Sequence, residues 1–451
     1  MLRFYIALWA AKLMQIYYNL KRFPKTDMPG LLACKICPDF LQKIAKPKLV
    51  ITVTGTDGKT TSSTLLNNFL LSQGLKTSFN DWGANMMAGY AVNLMRGVSI
   101  FNKTRIDVSI LEADELSLDT YMPRIKPDYI FVTNICKDSL RRNGHPENIF
   151  NHIEHTFRLL NGRTKGVLNA SDPISSELNK GGKKVYFAMA DAKTDPFPNI
   201  SKDIAICPRC GGKIVYDYRL YRHIGKYHCA SCDFRNPEPD VFAESVDLQN
   251  RKMTVNGYEY PLISDTVFNA FNVLSVVAML TELGYKEETI AEFLAGQTVT
   301  KIREDSVEYN GIEYIAFAAK SQNVSAASVV FEYMAKEPSD KNVVLLMDEV
   351  QDKNHPTETL TWLYETDYEF LNSPNIKKII VGGHMYLNHK LRMLLAGLPP
   401  EKVVAVEDEA DIPQNVDQEG ITKVYVLFET DCVTKAKNMR NAIVEYAKEG
   451  K

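Results

Sequence analysis

Residues 49–61 read LVITVTGTDGKTT. A β-branched apolar run breaks at Gly55 and Gly58, and Lys59, Thr60 and Thr61 follow where a helical pattern of Leu65, Leu66, Phe69 and Leu70 begins. Strand, glycine turn and helix start in that order predict a phosphate cradle. Glycines let successive N–H groups turn toward one anion, and the helix adds the partial positive charge of its N-terminus. Lys59 is placed to meet the β- and γ-phosphates of a nucleotide, and Thr60 or Thr61 to put a hydroxyl on the accompanying Mg²⁺. Thr56, Gly58, Lys59, Thr60 and Thr61 are thus the expected nucleotide-contacting residues, although the spacing is shorter than the general GxxxxGK[ST] loop.

Working outward, the runs KLVITVTG, RIDVSILEAD, DYIFVTNI and KGVLNASD alternate with helical segments. That alternation predicts an α/β domain with a parallel sheet and crossover helices. Ligands of such sheets gather at the carboxyl ends of the strands, where Glu112, Asn134 and Asn169 also fall. Glu112 is the expected Mg²⁺ ligand opposite the nucleotide, with Asp114 and Glu115 close behind it in sequence and more simply read as a solvated acidic turn. The helical segment VFNAFNVLSVVAMLTELG closes this domain. From about residue 301 a second alternation begins, with IEYIAF, NVVLLMDE, KKIIVGG, KVVAVE and KVYVLFE as strands and SAASVVFEYMAKE as a helix. The expected plan is an N-terminal helix and linker over 1–45, a P-loop-containing central domain over 46–300, and a smaller Rossmann-like α/β domain over 301–451.

The chain has 451 residues, more than one hydrophobic core usually organises. Its 45% apolar and 24% charged content is that of a soluble globular protein, and a net charge of −2 argues against a dedicated nucleic-acid binder. The stretch LRFYIALWAAKLMQIYYNL near the start is strongly apolar, but Lys12 interrupts it and it is too short to span a bilayer. Two readings stay open: a helix that packs on the main domain, or one that rests against a membrane surface. The expected location is cytoplasmic, at the inner face of the membrane under the second reading, and the eight cysteines are thiols or metal ligands in preference to disulfides.

Cys207-Pro-Arg-Cys210, then 18 residues, then Cys229-Ala-Ser-Cys232 has the spacing of a zinc ribbon inserted over about 203–240. Two tight turns together offer four thiolates in a closed, structural coordination with no open position for substrate. His223 and His228 are rival ligands that the four cysteines make unnecessary. Cys34 and Cys37 form a third CxxC without a second pair nearby, read as structural thiols, and Cys136 and Cys432 as lone small apolar groups.

The segments TGTDGKTT, NDWGANMMAGY, LEADE, TNICKD, LNASDP and FNAFN resemble, in order and over about residues 1–300, those of the Mur ligases. A zinc ribbon between LNASDP and the asparagine-bearing helix narrows the likeness to the MurT subunits of lipid II isoglutaminyl synthase. The resemblance implies ATP as the nucleotide, Lys59 and Thr60 at its phosphates and Mg²⁺, Glu112 as Mg²⁺ ligand, Asn269 and Asn272 near the adenine, and Arg303 facing the phosphates. It further implies that ATP phosphorylates a carboxylate and an amine attacks the acyl phosphate. For MurT subunits the acceptor is the D-glutamate α-carboxylate of lipid II, and ammonia comes from a GatD-type glutaminase subunit.

The chain departs from that pattern at several positions. The family's phosphate-loop asparagine is Asp57, and Arg141 replaces an acidic position in the segment that keeps Asp138 and Arg142. A lysine-asparagine-proline signature reads Lys320, Ser321, Gln322. DEVQDKNHPTETLTWLYETDYE aligns through Trp362, Asp367 and Glu369, but the aspartate that completes the glutaminase's catalytic pair falls at Thr359; adjacent Glu358 reads either as its substitute or, more simply, as part of a solvated helix start that Thr357 or Thr359 caps. A threonine carries no charge to stabilise an imidazolium. These departures keep two alternatives open: a ligase using another acceptor or free ammonia, and a non-catalytic ATP-binding assembly subunit.

Overall fold

The computed structural model describes residues 1–21, 26–80, 84–137, 145–192, 204–297, 304–319, 323–347, 360–429 and 432–450. The strands in chain order are β1 (Leu49–Thr54), β2 (Thr77–Phe79), β3 (Val108–Glu112), β4 (Tyr129–Val132), β5 (Lys165–Asn169), β6 (Lys184–Met189), β7 (Ile214–Tyr221), β8 (Ile224–Cys229), β9 (Val241–Asp247), β10 (Lys252–Val255), β11 (Tyr258–Pro261), β12 (Glu304–Tyr309), β13 (Ile312–Ala318), β14 (Lys341–Leu346), β15 (Ile376–Val381), β16 (Val403–Ala405) and β17 (Lys423–Phe428). The chain divides into two compact units, the second built mainly from residues 300–451.

The first unit is organised on a nine-stranded sheet in the order β11-β10-β9-β6-β5-β4-β1-β3-β2. From β2 to β9 all neighbours are parallel, whereas β9, β10 and β11 form an antiparallel meander at one edge. The parallel sheet expected from the repeating strand-helix pattern is present, with this antiparallel edge added to it. Asn256 and Gly257, both at positive φ, supply the tight turn that lets β10 pair directly with β11.

Both faces of the sheet are covered, which is why its central strands read as continuous apolar runs. Ile51 and Val53 face a core shared with the helices Lys59–Ser72 and Val267–Glu282. Val50 faces a second core with Phe4, Leu8, Tyr90, Met122 and Ile153. The N-terminal helix Leu2–Leu20 therefore packs on this unit through Phe4, Ala7, Leu8 and Ala11. Lys12, which seemed to interrupt the apolar run, donates to Met95 O and Val98 O, both at 2.8 Å, and ties the helix down.

The second unit carries a six-stranded sheet, β12-β13-β17-β14-β15-β16, parallel except for the β12–β13 hairpin. One face packs on the helices Val324–Lys336 and Tyr386–Leu395, the other on Val433–Lys448. Beneath the first face Tyr368 Oη lies 2.6 Å from His389 Nδ1, and Arg392 forks onto Glu369 at 3.0 and 2.9 Å. Trp362 packs edge-on to the His389 ring. Among the described residues no helix is long and apolar enough to cross a membrane.

Candidate active site

The phosphate loop is shaped from beneath by the segment after β4. Asn134 Oδ1 accepts the Asp57 N–H at 3.0 Å, Asn134 Nδ2 donates to Asp57 O at 3.2 Å, and Thr133 Oγ1 donates to the same carbonyl at 2.6 Å. Gly55, at φ 120°, lies so close that a Cβ would stand 2.3 Å from Thr133 Oγ1. Gly58, at φ 83°, caps the helix Lys59–Ser72, and a Cβ there would meet Asn272 Oδ1 at 2.1 Å. Both positions therefore admit only glycine, for backbone conformation and for space together.

Thr56 is engaged by the segment that follows β4. Its N–H donates to Asn134 O at 2.9 Å, and its hydroxyl exchanges hydrogen bonds with the Cys136 backbone at 2.9 and 3.0 Å. Thr56 thus fixes the loop, and the donors directed at an anion are the N–H groups in the first helical turn, at Gly58, Thr60 and Thr61, where no intrahelical carbonyl is available.

The register of β1 with β3 sets Glu112 opposite Val53, at the carboxyl edge of the sheet. Its side chain accepts from Thr60 Oγ1 at 3.0 Å and Ser63 Oγ at 3.4 Å, so Thr60 is the threonine of the loop that meets Glu112. Asn80 clamps the Glu112 backbone, accepting its N–H and donating to its carbonyl, both at 2.9 Å. Lys59 donates to Gly55 O, to Thr56 O at 3.2 Å and to the Glu115 carboxylate. Glu115 is 1% exposed, and burial pushes its carboxyl up against the pull of Lys59. The sequence reading took Glu115 for part of a solvated acidic turn; its partner is a lysine 56 residues away, which no local pattern announces.

At the other side of the loop, the helix Val267–Glu282 begins with Thr266 capping the Asn269 N–H at 3.3 Å. Asn272 Nδ2 donates to Asn269 Oδ1 at 3.2 Å, which joins the two asparagines, and Asn272 is the one that lies beside Gly58. Asn169 donates to Thr133 O at 3.1 Å and supports the loop from the neighbouring strand. Arg303, Glu358, Thr359, Asp138, Arg141, Arg142, Lys320, Ser321 and Gln322 lie outside the described residues.

The four cysteines of the insertion come together, their sulfurs all within 4.8 Å of one another. N–H groups of Arg209, Gly212 and Ser231 point at the sulfurs of Cys207, Cys210 and Cys229 at 3.3–3.4 Å. The Ser231 N–H draws the Cys229 thiol down, whereas neighbouring thiols hold those of Cys210 and Cys232 up, so the four share their charge unequally. Neither His223 nor His228 belongs to the cluster: His223 Nε2 lies 3.4 Å from buried Asp172, and His228 pairs with Asp217. The hairpin β7–β8 docks on the first unit through Arg209, which forks onto Glu177, and Tyr227, whose hydroxyl lies 2.7 Å from Ser176 Oγ. Its tip, Tyr221 to Ile224, is turned inward. Tyr221 packs edge-on to Phe268 and Phe271 of the asparagine-bearing helix, and its enclosed hydroxyl stands beside Asn134 and Asp57. Cys34 and Cys37 are buried, burial pushing the Cys34 thiol up to about 11, so they sit as protonated structural groups.

Comparison with known proteins extends this picture. Residues 53–202 match the Mur ligase middle domain, and residues 321–430 the MurT ligase C-terminal domain. The chain is 29% identical over 402 residues, 88% of its length and 89% of the relative's, to the lipid II isoglutaminyl synthase (glutamine-hydrolyzing) subunit MurT of Staphylococcus aureus. It is 25% identical over 408 residues, 89% of each chain, to the same subunit of Streptococcus pneumoniae. The structure of a pseudomurein peptide ligase type C from Methanothermus fervidus shares the fold, with a TM-score of 0.67 at 18% identity, over 90% of this chain and 81% of that one.

Proposed function

The chain belongs to the Mur ligase family, and from that membership we propose that it is the synthetase subunit of an enzyme of the lipid II isoglutaminyl synthase type. It uses ATP and Mg²⁺ to convert the D-glutamate α-carboxylate of lipid II to an amide. A carboxylate is a poor electrophile because it carries its own negative charge. Phosphorylation makes one of its oxygens a leaving group, after which ammonia attacks the acyl carbon. The observation that carries this reading is the joint placement of Gly58, Lys59 and the Thr60–Glu112 pair on one sheet edge. Loop N–H groups and Lys59 take the phosphates, with Lys59 passing from Glu115 to the phosphate oxygens as ATP enters. Thr60 and Glu112 would hold Mg²⁺, which would add positive charge to that of Lys59 beside the phosphoryl group being transferred. Asn269 and Asn272 serve the adenine side, and Arg303 the phosphates.

Ammonia is supplied by a GatD-type glutaminase subunit, with Glu358 the residue available to replace the missing aspartate at Thr359. The four cysteines hold a structural Zn²⁺. The domain limits 1–45, 46–300 and 301–451 belong to this reading, as does work at the cytoplasmic face of the membrane, where a lipid-linked acceptor resides. Lys59→Ala, combined with Glu115→Gln so that no buried carboxylate is left without its counter-charge, tests the ATP site: it is expected to abolish lipid II-dependent ATP hydrolysis while leaving most of the ligand-free protein's thermal stability in place. Undiminished turnover in that variant would remove Lys59 from the mechanism.

A further inference from the structure

A helix packed on one face should be polar on the other, yet the N-terminal helix is not. Opposite its buried row of Phe4, Ala7, Leu8 and Ala11 runs a second apolar row, Leu2, Ile6, Trp9, Leu13, Ile16 and Leu20, every member of it exposed. Trp9 Nε1 donates to Ile100 O at 2.8 Å, which joins the row to a loop tip where Ile100 and Phe101 are also exposed, Phe101 to 65%. The same loop is tied back by Asn102, which accepts the Ala45 N–H at 2.8 Å and donates to Lys43 O at 3.0 Å. The next residue along, Lys46, enters a cleft of about 230 Å³ whose charged lining is Lys46, Lys48, Arg124, Lys126, Arg163 and a single carboxylate, Asp128. Asp128 is already engaged, accepting the Val50 N–H at 2.9 Å. Basic residues accompany the apolar row, with Arg3 and Lys12 on the helix, Lys21 at its end, and Arg96, Lys103 and Arg105 flanking the loop tip.

Apolar side chains with a tryptophan among them, beside a cleft lined mainly by basic residues, are complementary to a bilayer whose surface is anionic. A second protein chain would present carboxylates to this cleft but has no need of so long a continuous apolar row. We infer that this face docks on an anionic phospholipid bilayer, the row Leu2–Leu20 and the Ile100–Phe101 tip entering the interfacial layer and the basic cleft receiving a lipid phosphate. The inference deepens the functional reading above, since it supplies the surface on which a lipid-linked acceptor is met. Lys46 fits a phosphate-receiving role: its amine donates to Leu41 O at 2.6 Å and Gln42 O at 3.0 Å, and burial and the nearby Lys126 hold it down to about 8, a penalty a bound anion relieves.

Co-sedimentation of the full chain with vesicles tests this. Wild type is expected to bind phosphatidylglycerol vesicles at least about tenfold more tightly than phosphatidylcholine vesicles. Leu13→Glu with Phe101→Glu, both at exposed positions, should abolish binding to both kinds. Lys126→Glu with Arg163→Glu should remove the preference for phosphatidylglycerol and leave the weaker binding to phosphatidylcholine. Wild type that ignores both vesicles, or variants that bind like wild type, would overturn the inference. So would cleft variants that lose affinity for inorganic pyrophosphate in solution while keeping full vesicle binding, since the cleft would then serve a soluble anion. ATP binding measured on the same preparations separates the two proposals: vesicle binding without ATP binding defeats the ligase reading alone.

Discussion

Lys59 and Glu115 show how one residue pair can hold a site in readiness. In the ligand-free chain the ammonium is balanced by a buried carboxylate, so the loop is not forced apart by an uncompensated charge. Glu115→Gln should therefore cost roughly 3 kcal/mol of stability, because it strands a largely buried cation. ATP·Mg²⁺ should restore more stability to this variant than to wild type, since phosphate replaces the lost counter-charge. Thermal denaturation with and without nucleotide measures both, and equal nucleotide effects in the two proteins would contradict the pairing. His389 offers a second test at this scale. Burial holds its imidazole down to about 4 in the folded state, below its ordinary value near 6.5, so the unfolded chain binds more protons between those values. Stability of the second unit is expected to fall as pH drops from about 6.5 toward about 4, at up to about 1.4 kcal/mol per pH unit. His389→Asn, which keeps an acceptor for Tyr368, should flatten that slope in denaturant titrations across this range. Of these two features, the sequence revealed Lys59 through its glycines. His389 and Glu115 were hidden, because burial and a partner distant in the chain leave no mark on neighbouring residues.

Among the elements, the four-cysteine hairpin is the one whose placement the sequence left open. Its cysteine spacing announced the gathering of four thiols because two tight turns need only local residues, but where the hairpin leans depends on Arg209, Tyr227 and Tyr221 meeting partners far along the chain. The β9–β11 meander went unseen for a similar reason, being short strands without a long apolar run. Since Tyr221 packs on the helix that carries Asn269 and Asn272, the hairpin is expected to support the nucleotide site as well as itself. Tyr221→Ala should weaken ATP binding by about three- to tenfold, the worth of one or two edge-on aromatic contacts, and Tyr221→Phe should leave it nearly unchanged. Titration with a fluorescent ATP analogue reads both. An alanine variant that binds as tightly as wild type would reduce the hairpin to a separate knob.

For the whole molecule, the two α/β units were legible from strand rhythm alone, since both sheets are covered on two faces and their strands stand out as apolar runs. The roles given to Arg303, Glu358 and Thr359 rest on sequence, and they bear on how ammonia is delivered. The central claim is the chemistry itself: ATP-driven amidation of a lipid-linked carboxylate. Incubation with ATP, Mg²⁺, lipid II and ammonium, followed by mass spectrometry of the precursor, addresses it most directly. The account predicts a product about one dalton lighter, as hydroxyl gives way to amine, formed only with ATP and absent in Lys59→Ala. ATP bound but lipid II recovered unchanged, with ammonium and equally with glutamine plus a GatD-type subunit, would contradict it.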